Sequence, residues 1–270
     1  MDLGLKGRAC VVTGAGRGIG RETARLLCEE GANVLLVGRG EERLEAARQE
    51  AASAGAASGG RAEALALDVT DADAGERMLA AAGERFGALD ALVNNAGAAR
   101  WRRLDEVPDE DWYAQYELNV MAPLRAMRAA APAMAERGWG RIVNVCSTAG
   151  KRPSAAMPEY SVAKAAELSL SRLFADRYAK EGVLVNAICP GPVEAELWME
   201  PGGLLDQSQA MSGAQSREQA LAEAGEKRPI GRLAEVGEIA AAIVFLCSER
   251  ASYVSGAAWS VDGGTVQVII

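Results

Sequence analysis

The chain has 270 residues, 49% of them hydrophobic and 24% charged, so it is long enough for one large core and short for two full-sized domains. Its formal charge of -8 and pI near 4.9 argue against a nucleic-acid-binding surface, which needs a concentrated basic face. The sequence contains no histidine, which excludes Ser-His-Asp and Cys-His catalysis and the usual imidazole zinc sites.

The apolar segments also bear on location. The longest of them are only strand-sized, and residues 1–8 contain no apolar signal core. We therefore expect a cytoplasmic protein that does not span a membrane. The five cysteines are scattered and lie mostly in apolar runs, which is typical of reduced core thiols, and none has metal-ligand spacing. We expect no bound metal.

Strand-like and helix-like segments alternate along the chain. Apolar segments of strand length cover residues 8–13, 33–37, 62–67, 89–93, 140–146, 183–189 and 257–261. Segments rich in Ala, Leu, Glu and Arg, as helices prefer, cover residues 18–30, 41–57, 71–86, 109–137, 158–181 and 235–248. This order predicts an α/β fold with one doubly wound, seven-stranded parallel sheet and helices on both faces. No linker divides the chain, so we expect a single domain over residues 1–270.

The first strand segment leads into a glycine-rich turn and then a helix. Gly14, Gly18 and Gly20 form a GxxxGxG pattern, and the commoner GxGxxG cannot be drawn from Gly14 because position 19 is Ile. In a doubly wound fold such a turn presents backbone amides to a pyrophosphate, and its glycines permit close approach. The pattern therefore predicts a dinucleotide-binding loop.

A tyrosine and a lysine lie one helical turn apart in the segment 158–181. Tyr160 and Lys164 share a helix face, so a phenol and an ammonium can meet at one site. A neighbouring cation stabilises the phenolate and moves its pKa toward the working range of a general acid or base. Ser147 lies thirteen residues before Tyr160 at the end of a strand segment, where its hydroxyl would bind the oxygen of a reacting carbonyl.

One segment interrupts the alternation. Residues 194–229 follow Pro190-Gly191-Pro192, contain several glycines, and carry Trp198 and Met199 amid polar residues. We interpret this segment as a mobile lid over a pocket, and the alternative is a passive surface excursion.

The chain closely resembles the short-chain dehydrogenases/reductases, and most of all the 3-oxoacyl-[acyl-carrier-protein] reductases and their relatives. The resemblance covers almost the whole chain. The motifs that carry it, in the family's order, are Thr13 to Gly20, Asn94-Asn95-Ala96-Gly97, Asn119, Ser147, Tyr160, Lys164 and Pro190-Gly191.

This resemblance implies a role for each catalytic match. Tyr160 would be the acid/base, and Lys164 would lower its pKa while holding the nicotinamide ribose. Ser147 would orient the substrate oxygen, and Asn119 would fix a water in the proton relay behind Lys164. Taken singly, such residues have ordinary structural explanations: the alternative for Asn119, for example, is that it only satisfies backbone groups. Their joint order and spacing favour the catalytic interpretation.

The resemblance also assigns residues to the cofactor. Asp68 and Val69 would contact the adenine, and Pro190 to Val193 would flank the nicotinamide. The full set is Gly14, Arg17, Gly18, Ile19, Gly20, Arg39, Asp68, Val69, Asn95, Ala96, Gly97, Tyr160, Lys164, Pro190, Gly191 and Val193. The chain departs from the family at Ala195, where a threonine hydroxyl often assists the carboxamide, and this makes the anchoring of the lid less certain.

The end of the second strand segment indicates which nicotinamide cofactor is used. An acid there would take the ribose hydroxyls of NAD and repel a 2′-phosphate. The chain has Gly38 and Arg39 instead, and Arg39 offers that phosphate a planar, bidentate donor. Arg17 in the glycine loop would add a second contact. We predict NADP(H), without excluding NAD(H), and the alternative is that both arginines are merely solvated.

The reaction implied is hydride transfer between nicotinamide and a carbonyl or secondary alcohol, with reduction of a hydrophobic ketone or 3-oxoacyl thioester favoured. One alternative is a dehydrogenase of a bulky, steroid-like or cyclic, secondary alcohol or of a sugar alcohol. Another is a catalytically silent NADP(H)-binding regulator, because fold alone does not establish activity. Epimerisation or dehydration would call for added acid/base groups, and no candidate histidine exists.

Apolar side chains near the predicted site suggest a hydrophobic pocket. We expect Trp101, Met157, Trp198 and Met199 to line it together with Ser147 and Tyr160, and the alternative for the apolar ones is ordinary core packing.

The sequence bears on two macromolecular partners, an acyl carrier protein and further copies of the same chain. An acyl carrier protein would need basic residues beside the entrance, for which Arg137, Lys180, Arg102 and Arg103 are candidates, although Glu181 does not fit. The resemblance further suggests a homotetramer formed through the segments 109–137 and 158–181 and the terminus Val268-Ile269-Ile270.

Overall fold

A computed structural model describes residues 1–267, and for residues 211 and 212 the backbone alone. The three residues 268–270, which the sequence assigns to a subunit interface, lie outside the described residues. The strands are β1 Ala9–Thr13, β2 Asn33–Gly38, β3 Arg61–Ala66, β4 Ala91–Asn94, β5 Gly140–Val145, β6 Val183–Pro190 and β7 Ala258–Val261. They form one parallel sheet in the order β3-β2-β1-β4-β5-β6-β7. The predicted seven-stranded, doubly wound fold is confirmed.

The helices follow the sequence pattern except at two places. They are α1 Gly18–Glu29, α2 Glu41–Gly55, α3 Ala74–Phe86, α4 Asp109–Tyr116, α5 Ala122–Glu136, α6 Thr148–Lys151, α7 Pro158–Tyr178, α8 Glu196–Met199, α9 Leu204–Ser212, α10 Arg217–Glu226 and α11 Val236–Cys247. The continuous helix predicted over 109–137 is interrupted by a π-helical turn, Glu117–Met121, in which the chain makes a wider turn than in an α-helix. The predicted lid, for which the sequence analysis assigned no helix, contains three short helices, α8 to α10.

Two apolar clusters cover the two faces of the sheet. All five residues of β1 are buried, with Cys10 and Val12 in one cluster and Val11 in the other, as expected when successive side chains point to opposite faces. The first cluster includes Leu27 of α1 and Ile243 of α11. The second takes in helices α3, α5 and α7. Near-continuous burial of this kind is what a parallel sheet between two helix layers requires.

The strand order reverses between β1 and β4, and this places the site. Chain leaves β1 toward one side of the sheet and β4 toward the other, so a crevice opens beyond the carboxyl ends of these strands. The glycine loop follows β1, and the Asn94-Asn95-Ala96-Gly97 motif follows β4.

All five cysteines are buried and unpaired. Within residues 1–267, no helix has both the length and the apolar character needed to cross a bilayer. The same residues contain no group of three or more His, Cys, Asp or Glu side chains arranged to hold a metal ion.

Candidate active site

A large cleft of about 1110 Å³ runs across the carboxyl ends of the strands. Most of the residues that the sequence assigns to the cofactor, the reaction and the substrate line it. They are Gly14, Arg17, Gly18, Ile19, Arg39, Asp68, Val69, Asn95, Ala96, Gly97, Trp101, Ser147, Met157, Tyr160, Lys164, Pro190, Gly191, Val193 and Trp198. Gly20, Asn119 and Met199 lie behind this lining, where Asn119 is completely buried.

The glycine loop is held against the end of β4 by Asn95. The Asn95 side chain donates hydrogen bonds to the carbonyls of Thr13, at 2.9 Å, and Gly14, at 3.3 Å. A Cβ atom on Gly20 would lie 2.4 Å from Asn95 Nδ2 and 2.5 Å from the Gly14 carbonyl oxygen. Gly14 and Gly18 have φ angles of +64° and +53°, which side chains disfavour. The loop is thus a backbone-lined concavity that fits a pyrophosphate.

Ser147, Tyr160 and Lys164 meet on the floor of the cleft. Tyr160 and Lys164 occupy the first two turns of α7, and the Lys164 ammonium lies 5.7 Å from the centroid of the Tyr160 ring. Ser147 caps α6, where its Oγ accepts a hydrogen bond of 3.1 Å from the amide of Ala149. That bond uses only a lone pair of the Ser147 oxygen, so the hydroxyl keeps a proton that it can donate to Tyr160 or to a substrate oxygen.

Burial raises the pKa of Tyr160 above its ordinary value. The Lys164 ammonium and a hydrogen bond with the Ser147 hydroxyl lower that pKa, and Glu167 raises it further. The sequence-based expectation of a lowered pKa considered Lys164 alone. In this structure, withdrawal from water and the Glu167 charge outweigh the lysine.

Lys164 is held by two partners that are fully inside the protein. Its Nζ donates to the Val145 carbonyl at 2.9 Å and to Glu167 Oε2 at 2.7 Å. The Lys164 and Glu167 side chains are only 4% and 1% exposed. Glu167 does not feature in the sequence interpretation, although its i,i+3 spacing from Lys164 on a predicted helix would have indicated the contact.

Asn119 lies in the π-helical turn behind the catalytic floor. Its Nδ2 donates to Gln115 Oε1 at 2.7 Å and to the Gln115 carbonyl at 3.0 Å. Its Oδ1 is buried without a hydrogen-bond partner in the part of the chain described. A Cβ on Gly97 would lie 3.4 Å from this oxygen and 3.9 Å from Lys164 Nζ. An acceptor is therefore available beside Lys164, in keeping with the predicted water site.

The end of β2 offers a basic site. The Arg39 side chain is 80% exposed, and its Nη1 lies 3.6 Å from Asp68 Oδ2. Asp68 also accepts hydrogen bonds from the Thr70 amide and hydroxyl. The Thr70 amide is the main cause of the lowered pKa of Asp68, and Arg39 contributes less.

A glutamate from the lid reaches the same end of the cleft. Glu200, just after α8, accepts from Arg17 Nη1 at 3.0 Å, and its other oxygen lies 3.3 Å from Arg43 Nη2. Neither Glu200 nor Arg43 appears in the sequence interpretation, since the sequence does not reveal a contact between positions 183 residues apart. Arg17 thus has a carboxylate partner that an anionic ligand would have to replace.

The lid has a small apolar cluster of its own. Trp198, Leu204 and Leu205 are buried in it, with Trp101, Met157 and Met199 packed against them. The rings of Trp101 and Trp198 meet edge to face with centroids 6.3 Å apart, and the Trp101 amide donates to Gln207 of α9. The lid therefore contacts the chain that follows β4 and covers one end of the cleft.

Comparison with known proteins agrees with this geometry. The family model for short chain dehydrogenases matches residues 8–202. A D-beta-hydroxybutyrate dehydrogenase of Cupriavidus necator is 36% identical over 262 residues, which cover 97% of this chain and 99% of that protein. A 3-oxoacyl-[acyl-carrier-protein] reductase of Vibrio cholerae is 34% identical over 266 residues, which cover 98% and 100% of the two chains.

Among solved structures, the L-sorbose reductase of Gluconobacter frateurii, crystallised with NADPH and L-sorbose, superposes with a TM-score of 0.91. It is 33% identical, and the match covers 100% of both chains. The chain therefore belongs to the short-chain dehydrogenase/reductase family of oxidoreductases, which act on CH-OH or carbonyl groups. The predicted resemblance is confirmed. The three relatives have a hydroxy acid, a carrier-bound acyl group and a sugar as substrates, so similarity alone does not select a substrate.

Proposed function

We propose that this protein is a cytoplasmic NADP(H)-dependent reductase, one catalytic domain over its length, that converts a hydrophobic ketone or 3-oxoacyl thioester to the secondary alcohol. The observation that carries the proposal is the meeting of Ser147, Tyr160 and Lys164 on the floor of the same cleft that the glycine loop enters. A silent NADP(H)-binding regulator would have no need of this complete set of groups.

The chain's own residues supply placement and proton transfer. Ser147 donates a hydrogen bond to the substrate oxygen, and Tyr160 gives the same oxygen its phenolic proton as that O–H bond breaks. Lys164 stabilises the phenolate that remains, and the free oxygen of Asn119 holds a water through which the proton is replaced. When NADPH is bound, its nicotinamide supplies the hydride to the carbonyl carbon and is oxidised to NADP⁺.

The choice of NADP(H) rests on the basic end of the cleft. Gly38 leaves no carboxylate at the end of β2, and the exposed Arg39 has a guanidinium held only by a long contact to Asp68. The relative crystallised with NADPH supports the same choice. NADPH should give a higher kcat/KM than NADH, and Gly38→Asp combined with Arg39→Leu should reverse that preference. Equal or better use of NADH by the unaltered protein would overturn the assignment of Arg39.

The apolar lid cluster supports a hydrophobic substrate. Trp101, Met157 and Trp198 line the cleft beside the catalytic floor, and large apolar side chains are what an apolar ketone would bury against. The buried indole Nε1 of Trp101 has no hydrogen-bond partner within the described chain. It offers a donor to a substrate that carries a second oxygen, as a 3-oxoacyl group does.

A substrate panel tests this proposal. We would compare kcat/KM for a 3-oxoacyl carrier protein, the matching short thioester, a bulky cyclic ketone and a keto-sugar under one set of conditions. The expected order places the thioester or cyclic ketone above the keto-sugar. Best activity on the keto-sugar would overturn the hydrophobic pocket and favour the sugar-alcohol alternative, and no turnover of any compound would favour the regulator.

Docking of a carrier protein has less support than reduction of the free thioester. Arg102 is paired with Asp111, and Arg103 lies 3.5 Å from Asp105. Arg137 donates to the carbonyls of its own subunit at Ala133 and Leu89. These side chains already have partners, so a carrier protein no better than its free thioester is the result we expect.

A homotetramer is supported by apolar side chains on two helices. Tyr113 and Tyr116 of α4 are 73% and 46% exposed, and Val162 and Leu173 of α7 are 54% and 66% exposed. Such residues on neighbouring helices are typical of a surface covered by another subunit. Light scattering at micromolar concentration should give four times the 28.2 kDa chain mass, and a monomer would reject the assembly.

A further inference from the structure

Glu167 is a fully buried carboxylate beside the catalytic floor that the proposed proton transfer does not use. It lies one turn after Lys164 on α7, and its Oε2 lies 2.7 Å from Lys164 Nζ, a distance that fits an ammonium–carboxylate ion pair. Both side chains are nearly inaccessible to water. Because solvent does not screen such a pair, the charge of Glu167 acts on the same neighbour as the charge of Lys164, which is Tyr160.

The side chains around Lys164 and Glu167 are either neutral or directed to other partners. The thiols of Cys146, at the end of β5, and Cys189, in β6, face the pair, and burial raises the pKa of both, for Cys189 to about 11, so both are neutral near pH 7. Lys151 of α6 is directed to the Ala258 carbonyl and the Ser260 hydroxyl.

The remaining neighbours add no opposing charge. From the π-helical turn, Asn119 is neutral and Glu117 is paired with Arg125. Glu159 precedes Tyr160 in α7 and therefore lies about 100° around the helix from it. Among the described residues, the ionised groups against Tyr160 are Lys164 and Glu167.

These two charges oppose each other at the phenol. A lone Lys164 would favour the phenolate, whereas a Lys164 neutralised by Glu167 favours it much less. Reduction consumes a proton from the phenol, and alcohol oxidation needs the phenolate to accept one. A carboxylate here therefore extends the pH range in which the phenol can donate its proton.

We infer that Glu167 is a positioning residue that, through Lys164, holds Tyr160 in its protonated form up to a higher pH and so sets the pH range over which carbonyl reduction and alcohol oxidation each run. This inference rests on the proposed function. The raised pKa of Tyr160, caused first by burial and with a contribution from Glu167, agrees with it. For Lys164, burial alone would lower the pKa, but Glu167 and Tyr160 raise it overall, so the ammonium persists.

The sign of the pH dependence follows. With the Tyr160 pKa raised, reduction is fastest below that pKa and declines as the pH rises through it, while oxidation increases over the same interval. Removal of the Glu167 charge should move the decline of reduction and the increase of oxidation to lower pH by about one unit. This is the lower end of the pKa shifts that a nearby charge produces.

The first test uses the free protein and needs no substrate. The ultraviolet absorbance of ionised tyrosine is titrated with pH in the unaltered protein and in Tyr160→Phe, and the difference between them isolates Tyr160 from the other four tyrosines. The same difference is measured with Glu167→Gln, which keeps the shape and a hydrogen bond but not the charge. Glu167→Asp keeps the charge, and Asp176→Asn removes an exposed ion-pair carboxylate from the same helix.

We expect the Tyr160 pKa to fall by about one unit in Glu167→Gln, and to stay near that of the unaltered protein in Glu167→Asp and Asp176→Asn. An unchanged pKa in Glu167→Gln would overturn the inference. So would an unaltered protein in which Tyr160 titrates below the ordinary tyrosine value of about 10, and this measurement needs no folded Glu167 variant.

Turnover gives the second readout. With the panel ketone that proves active and its alcohol, pH profiles of kcat/KM in both directions should move together in Glu167→Gln. A Tyr160 pKa that moves while both profiles stay in place would overturn the claim that this pKa sets the pH range of each direction. A protein that turns over none of the panel would reject the proposed function even if the absorbance titration shows the predicted electrostatic effect.

Discussion

The floor of the cleft and its cover are built in different ways. The floor consists of strand ends and the first turns of α7, where Lys164 and Glu167 are fully buried and paired, and where Lys164 donates to the Val145 carbonyl of β5. The cover is the lid, whose three short helices, α8 to α10, surround a small apolar cluster of their own. It contacts the rest of the chain through the rings of Trp101 and Trp198 and through half-exposed ion pairs such as Arg17–Glu200.

This difference indicates which part of the protein determines turnover and which part determines affinity. Buried, hydrogen-bonded groups cannot shift without leaving unpaired charge, so the floor fixes the chemistry. Exposed ion pairs contribute at most about 1 kcal/mol each, so we expect the cover to be easier to displace than the floor. Changes in the floor should abolish turnover or folding, and changes in the cover should alter affinity.

The largest effect is expected from the proton donor of the floor. Tyr160→Phe keeps the ring and deletes the transferable proton, so kcat should fall by about 10²–10⁴-fold. The dissociation constant for NADPH, measured by fluorescence titration, should change little. Turnover within tenfold of the unaltered protein would remove Tyr160 from its role and with it the catalytic difference between floor and cover.

Gly20, in the first turn of α1, tests the tight packing of the glycine loop. In Gly20→Ala the new Cβ would meet Asn95 Nδ2 and the Gly14 carbonyl at 2.4 and 2.5 Å, far inside normal contact. Overpacking of this kind should lower the free energy of urea unfolding by about 1–3 kcal/mol. Gly16→Ala is the matched control, because its Cβ would have no neighbour closer than 3.6 Å. Equal stability of the two variants would contradict the tight packing of the loop.

An aromatic side chain of the cover tests affinity. Trp198→Ala empties the centre of the lid cluster, so KM for the ketone should rise by about tenfold, as expected for about 1.4 kcal/mol of lost packing, while kcat changes less. Trp259→Ala, at a half-exposed position outside the cleft lining, is the control and should leave KM unchanged. A fall in kcat as large as that of Tyr160→Phe would show that the cover takes part in the chemistry.

The smallest effect is expected from the ion pair between cover and cofactor end. Glu200→Gln frees Arg17 and Arg43 from their carboxylate, so NADPH should bind two- to fivefold more tightly, which corresponds to about 0.4–1 kcal/mol for exposed pairs. NADH, which lacks the 2′-phosphate, should bind as before. Glu181→Gln, whose partner Arg177 lies on the same surface helix end, is the control. Equal tightening for both cofactors would contradict an interaction with the phosphate.

The sequence predicted the strands to within a few residues because their apolar runs are long and lie between helix-forming segments. It placed the π-helical turn at Glu117–Met121 inside an ordinary helix, because Leu, Asn and Val suit either form and the difference depends on packing around Asn119. It assigned no helices to the lid. Helices α8 to α10 are short, and their apolar residues are few until they come together in one cluster.

By itself, then, the sequence determined the doubly wound sheet, the glycine loop and the Tyr160–Lys164 pair, since these follow from periodicity and from spacing within one helix. Only the tertiary structure decided which charges oppose them. Glu167 is three residues from Lys164 along the chain, yet its effect on Tyr160 depends on burial, which removes the solvent screening that a surface pair would have. Glu200 reaches Arg17 only because the chain folds the lid back over the carboxyl ends of the strands.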